Sequence, residues 1–399
     1  MTRRITAALV AFALAACADA PTAPTATALR SAIAPSADVA AAPFSWASQV
    51  TGETGPGAAY ALYMPAAWNG DVVYYAHGIV DPALPATLPT ANGIEALRDA
   101  LGAMGFAVAY SSFSETGWAV KDGAQRTHQL RGIFTSQFGK PNRSYLMGHS
   151  MGGLIVQDLA EQHGAQYDGV LAMCAPLGGA VNEINYLGDV RAIFDVFYPG
   201  VVPGDVITVP PGTNLNAVLG AAQGAIIANP TPALGYMPRI AQTPIPGNSP
   251  TELITSILTA IGYDIREADD ATARAHGHPF FDNNRAYTGA LPQSLLEQIN
   301  AAVKRYTATP DAMNYFQKYY TPDGALSLPT VTIHTTRDPV VPIFHEGQFA
   351  SAVTTSGSGS LLLQRSVNAY GHCAFSQTDM VSAFQVLRSW VETGVKPAS

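Results

Sequence analysis

The segment 143–164 constrains this fold more than any other part of the chain. Arg143-Ser144-Tyr145-Leu146-Met147 is a short apolar strand pattern that runs without a linker into Gly148-His149-Ser150-Met151-Gly152-Gly153. A helical pattern follows over 154–163 and closes at Gly164, a residue type that ends helices. A strand that turns directly into a helix leaves one residue, Ser150, at the apex of the turn. Such a turn crowds the backbone, and flanking glycines relieve the crowding because they carry no Cβ. The first turn of the helix offers free N–H groups and the positive end of a dipole, so negative charge is favoured there.

The rest of the chain extends this pattern. Residues 45–51 and 59–64 read as an antiparallel pair turned by Gly52, Gly55, Pro56 and Gly57. Short apolar runs at 71–76, 106–111, 168–173, 331–335 and 361–367 alternate with helical patterns at 94–104, 125–138 and 154–163. A last helix runs to about Val391, with Ser376 as its cap and Asp379 completing a capping box. Strand–helix alternation argues for a mostly parallel sheet with helices on both faces, and runs without polar alternation fit burial on both sides. The alternation breaks over 176–329, which is rich in Pro and Gly and holds scattered helical patterns such as 251–261 and 294–306. This stretch is too long for a structureless loop and is expected to be a cap. The division expected is a core of 44–176 and 329–399 and a cap insertion of 177–328.

Hydrophobic residues make up 48% of the 399 and charged residues 13%, so the chain can bury a large core and general disorder is excluded. The formal charge is -8, and no block of Lys or Arg offers a face for phosphates, which excludes nucleic acid as a partner.

The residues with chemistry to offer are spaced along the core. A serine hydroxyl becomes a nucleophile only when a base removes its proton, and imidazole suits this because its pKa lies near neutrality. His372 follows the last strand pattern, in Tyr370-Gly371-His372-Cys373. Asp338 follows the strand at 331–335 and lies 34 residues before His372, placed to hold the imidazole in one tautomer. Asp311 and Asp323 are rivals inside the cap, and an acid one strand earlier would be Glu183 or Asp189. Two N–H groups are needed for an oxyanion. One is expected from Met151, the other from Ile79 with Gly78 beside it, after the strand ending in His77-Gly78. Glu115, Trp118 and the cap aromatics Phe280, Phe281, Tyr287, Tyr315 and Tyr319 are candidates for the pocket wall, with core packing as the alternative. His276-Gly277-His278 lacks acidic or Cys partners at ligand spacing, so no metal is expected. No cofactor is called for.

These motifs resemble the α/β-hydrolase superfamily, in the order Ser150, Asp338, His372, over essentially everything after residue 43. The resemblance implies an eight-stranded, mostly parallel sheet, a Ser-His-Asp triad and a cap inserted after the sixth strand. The segments MCAPLGG and YGHCAF are similar to secreted bacterial esterases and peptidase-like relatives. The expected reaction is hydrolysis of a small or polymeric carboxylic ester by an acyl-enzyme route. A prolyl-oligopeptidase-like peptidase or amidase and a polyester depolymerase are the enzymatic alternatives. A ligand-binding lipoprotein without catalysis is the alternative outside enzymes. Tannase-like and feruloyl-esterase-like enzymes join a Cys before the nucleophile to one after the His. His149 breaks that pattern here, and a Cys174–Cys373 bridge is expected in its place, the alternative being two buried thiols.

The N-terminus reads as a targeting segment. Arg3 and Arg4 precede an apolar run at 5–16, shorter than the roughly 20 residues a spanning helix needs. Leu14-Ala15-Ala16-Cys17 is similar to a bacterial lipobox. That implies a signal peptide of 1–16, lipidation at Cys17 and a tether of 17–43. The chain is then expected to be an exported lipoprotein of the outer membrane, or otherwise periplasmic or extracellular, touching membrane only through that lipid.

Overall fold

A computed structural model describes residues 44–89 and 94–398. The expected signal peptide, Cys17 and the tether lie outside the described residues. Among the described residues no helix is long and apolar enough to cross a membrane.

Eight strands form one sheet: β1 (Ser48–Glu53), β2 (Ala59–Met64), β3 (Asp71–Ala76), β4 (Ala107–Ser111), β5 (Arg143–His149), β6 (Gly169–Met173), β7 (Thr330–Arg337) and β8 (Leu362–Tyr370). Their order across the sheet is β1-β2-β4-β3-β5-β6-β7-β8. β1 and β2 pair antiparallel, as do β2 and β4, and every later pairing is parallel. The expected eight-stranded, mostly parallel sheet is thus present. β1 alternates between half-buried and exposed, as an edge strand does, whereas β3, β4 and β6 are buried throughout. The period-two rule explains why those central runs are uniformly apolar. Val72 and Tyr74 enter the core on one face with Leu146, while Val73, Tyr75, Tyr145 and Met147 enter the core on the other.

Among the described residues five helices cover the sheet. α1 (Ile94–Ala103) packs on one face through Leu97 and Leu101. α2 (Val120–Phe138) and α3 (Met151–His163) pack on the other through Leu130, Phe134, Leu154 and Ile155. α2 starts five residues before the expected position, because Val120 and Ala124 already belong to that core. Five further helices separate β6 from β7: α4 (Ala180–Phe197), α5 (Leu215–Ala228), α6 (Pro250–Ala275), α7 (Gln293–Ala302) and α8 (Pro310–Tyr319). α9 (Phe344–Thr355) lies between β7 and β8, and α10 (Gln377–Thr393) ends the fold with the Ser376–Asp379 capping box formed.

The insertion has a core of its own, built from α4, α5, α6 and the segments around Phe280, Ile299 and Tyr306. Several of its charged residues are paired inside it. The Arg191 side chain is fully buried and pairs with Asp195 and Asp264, joining α4 to α6. Asp189 accepts from Arg285 and Tyr287. α8 packs against α4 and α6, while Ala312, Phe316 and the following Tyr320 join the same core as Leu130 and Ile155. The insertion is fastened to the loop after β4, where Asp270 Oδ2 accepts the Trp118 N–H at 2.7 Å and the Tyr320 hydroxyl donates to the Trp118 carbonyl at 2.8 Å.

Candidate active site

Ser150 stands between the last residue of β5 and the first of α3, with φ 54° and ψ -128°. A non-glycine residue held there costs about 1–3 kcal/mol, which the surrounding packing must impose. The glycines explain how. A Cβ on Gly148 would collide with the carbonyl of Gly152, and one on Gly152 with the carbonyl of Ala76. The Ser150 N–H donates to the Met173 carbonyl at 2.8 Å, locking the turn to β6.

Ser150 Oγ lies 2.8 Å from His372 Nε2, and His372 Nδ1 lies 2.8 Å from Asp338 Oδ2. Asp338 has no solvent exposure and His372 is 3% exposed. The other Asp338 oxygen, Oδ1, accepts the N–H groups of Val340 at 2.9 Å and Val341 at 3.0 Å. With a carboxylate on Nδ1, the proton of neutral His372 sits on that nitrogen and leaves Nε2 free to accept from the serine. His334 lies behind the aspartate, its Nε2 3.7 Å from Asp338 Oδ2. Burial works against charge on His334, but its hydrogen bond and attraction to Glu346, with Asp338 adding to them, outweigh burial and raise its pKa above the ordinary imidazole value.

Cys174 and Cys373 are joined, with Cα atoms 5.3 Å apart. One follows β6 and the other follows His372, so the bridge holds the histidine turn against the sheet. Both cysteines have positive φ, 46° and 52°. His149 occupies the buried space beside them, between the Tyr75 hydroxyl at 3.1 Å and Met380 Sδ at 3.1 Å. Burial, aided by the proximity of His372, pushes its pKa down to about 3, so it is neutral at pH 7.

Met151 opens α3, where its N–H has no carbonyl within the helix to meet. Ile79 lines the same cleft as Ser150 and Met151. Gly78 approaches closely: a Cβ there would lie 3.2 Å from Ser150 Cβ. The loop is fixed by His77, whose Nδ1 lies 2.7 Å from the Gly78 carbonyl and whose ring stacks on Phe113 at 3.9 Å.

Their hydrogen-bond partners set the rivals apart from the triad, although Glu183 lines the same cleft. Glu183 meets His345 Nε2 at 2.8 Å, Asp189 is held by Arg285 and Tyr287, and Asp323 Oδ1 accepts from Ala325. Asp311 lies in the first turn of α8. His276 closes α6 in the left-handed conformation. Of the pocket candidates, Trp118 and Phe280 line cavities. Glu115 instead pairs with Arg274 on the surface, the Phe281 N–H donates to Asn185 and Tyr287 is buried among carboxylates. Tyr315 touches the Tyr320 hydroxyl and Tyr319 lies under Lys121.

The cleft over Ser150 is narrow and has mostly apolar walls: Ile79, Trp118, Pro176, Leu187, Val340 and Val341. Of its lining, sequence reasoning did not find Pro176, Leu187, Tyr263, Glu267, Val340 and Val341, and it weighed Glu183 only as a rival acid. A second cavity lies within the insertion and shares Trp118, Leu187 and Glu267 with the first.

The strand order, the antiparallel edge, the serine at the β5–α3 turn and the helical insertion after β6 together define the α/β-hydrolase fold. No protein-family model and no curated protein matches the chain. Among solved structures it is similar to the rice cell wall degrading esterase LipA from Xanthomonas oryzae, at 13% identity over 84% of this chain and 85% of that one, with a TM-score of 0.42. It is similar to lipase A of Candida antarctica, at 14% identity over 86% and 75% of the two chains, with a TM-score of 0.43. The acylaminoacyl peptidase of Pyrococcus horikoshii matches at 8% identity over 88% of this chain and 42% of that one, with a TM-score of 0.44.

Proposed function

We propose that the chain is a serine hydrolase that cleaves carboxylic esters through an acyl-enzyme intermediate. The observation that carries this is the hydrogen-bonded series Ser150–His372–Asp338, 2.8 Å at each step, opening on an apolar cleft. His372 Nε2 takes the proton from Ser150 Oγ as the oxygen attacks the acyl carbonyl. The N–H groups of Met151 and Ile79 stabilise the resulting oxyanion. The imidazolium, held by Asp338, then returns its proton to the departing alcohol. Water, activated by the same nitrogen, releases the acid from Ser150. The apolar wall of Ile79, Pro176, Leu187, Val340 and Val341 supports an acyl group as the part bound there. A peptidase or amidase would use the same groups on a poorer leaving group. The leader and Cys17 belong to this reading: after export, a lipid on Cys17 would tether the enzyme and leave its cleft facing substrates outside the cytoplasm.

Turnover of p-nitrophenyl esters from acetate to octanoate, compared with prolyl and aminoacyl p-nitroanilides, tests the proposal. Wild-type enzyme is expected to favour the esters, and Ser150→Ala to retain less than about a thousandth of that rate. Equal rates in wild type and Ser150→Ala would refute it, and preference for the anilides would move the substrate class to amides.

A further inference from the structure

The Ser150 cleft carries two carboxyl groups that the triad does not use. Glu183 lies near the start of α4 and Glu267 on α6, and both line the cavity that holds Ser150. Glu183 is 2% exposed and Glu267 5% exposed. Glu183 Oε1 and Glu267 Oε2 are each buried without a hydrogen-bond partner. A buried carboxyl oxygen left unpartnered is costly, and protein interiors rarely keep one without a purpose.

The nearby cations are engaged elsewhere. Glu183 Oε2 meets His345 Nε2, but His345 Nδ1 accepts the Gly178 N–H at 3.1 Å. An imidazole that accepts at one nitrogen and donates at the other is neutral. Burial, with the repulsion of His334 added, keeps it so by holding its pKa well below the usual value. Arg266 turns to Asp81, and Arg191 is held by Asp195 and Asp264. Two carboxyl groups therefore line one largely apolar cavity with no protein cation paired to either.

We propose that Glu183 and Glu267 form a subsite for a protonated amine, so that the cleft takes substrates bearing an alkylammonium group. Burial, with neighbouring carboxylates adding to it, holds the pKa of both groups well above the usual range; an ammonium brings the N–H donors that the unpartnered oxygens lack and the positive charge that favours their ionised form. The apolar walls suit the methylenes that lead to it. Assignment of the ligand as a substrate rests on the hydrolase reading; the ammonium site itself does not.

The test separates the two. The probes are n-hexylammonium and n-hexanol, which share length and shape, titrated calorimetrically into the full chain carrying Ser150→Ala, where no chemistry intervenes. Hexylammonium is expected to bind at least tenfold more tightly than hexanol. That preference is expected to fall to within threefold when either Glu267→Gln or Glu183→Gln is added, with thermal melts confirming that each variant is folded. The two isosteric variants act on different helices, so failure of one to fold leaves the other to decide. Equal binding of the two probes, or an undiminished preference in folded Gln variants, would overturn the subsite. Ester turnover by the wild type without ammonium preference removes the subsite alone. Ammonium preference without turnover removes the hydrolase reading alone.

Discussion

At the residue scale, Asp338 shows how a side chain acts through its neighbours. One oxygen holds His372 and the other is held by two main-chain N–H groups, so the carboxylate is oriented before any substrate arrives. In Asp338→Asn the amide still fills the space, but if its N–H₂ faces His372 the imidazole carries its proton on the wrong nitrogen. Ester turnover is expected to fall roughly a thousandfold to ten-thousandfold, with an unchanged circular dichroism spectrum; retention of more than a tenth of the rate would place the acid elsewhere. Ser150, Asp338 and His372 were legible in the sequence because each follows a strand, and chain order fixes which sheet edge they reach. Tyr263 and Glu267 were not, and Glu183 was read only as a rival acid. Glu267 sits mid-helix beside Arg266 and near Asp264, Asp269 and Asp270, a run that reads locally as a solvated face. Only the packing of α6 against α4, through Arg191 and Asp264, turns part of that face inward.

At the element scale, boundaries were clearest where local chemistry sets them. β3 occupies 71–76 as read from its apolar run, and α10 begins at its capping box. α6 runs from Pro250 to Ala275, far past the expected 251–261. Its apolar periodicity ends where Asp264 and Glu267 are buried, so periodicity alone stopped short. The Cys174–Cys373 link ties the turn after β6 to the turn after His372 across a sequence separation of 199. Removing a bridge that closes so long a loop costs about 2–5 kcal/mol. Paired Cys174→Ser and Cys373→Ser substitutions are therefore expected to lower the melting temperature by several degrees and to reduce kcat more than they raise KM, because the His372 turn is loosened. Mass spectrometry of the unreduced protein finding two free thiols would contradict this link.

At the scale of the whole molecule, a sheet whose parallel strands all point to one edge collects the reactive groups there, and the insertion closes over them. The fold class was readable from strand–helix alternation. The interior of the insertion was not, because its core joins residues around 186–306 through contacts distant in sequence. Buried ionisable groups also give the molecule a pH signature. Burial, with the proximity of His372, holds the His149 pKa near 3 in the folded state, against about 6.5 when unfolded. Below pH 6.5 the unfolded chain binds a proton that the native state refuses, so stability is lost as pH falls towards 3, by up to about 1.4 kcal/mol per pH unit. Burial raises Glu161 to about 7, which acts in the opposite sense as pH rises from about 4.5. Urea midpoints between pH 4 and 6.5 are expected to rise less steeply with pH in His149→Gln than in wild type; identical slopes would show that His149 is charged when folded.

The claim on which the rest stands is that Ser150 is an activated nucleophile. Incubation of the protein with a fluorophosphonate probe, followed by peptide mass spectrometry, measures this directly. A single adduct on Ser150, lost in Ser150→Ala and slowed in His372→Ala, is the predicted result. An unlabelled Ser150 in folded protein, or labelling that persists in Ser150→Ala, would contradict it.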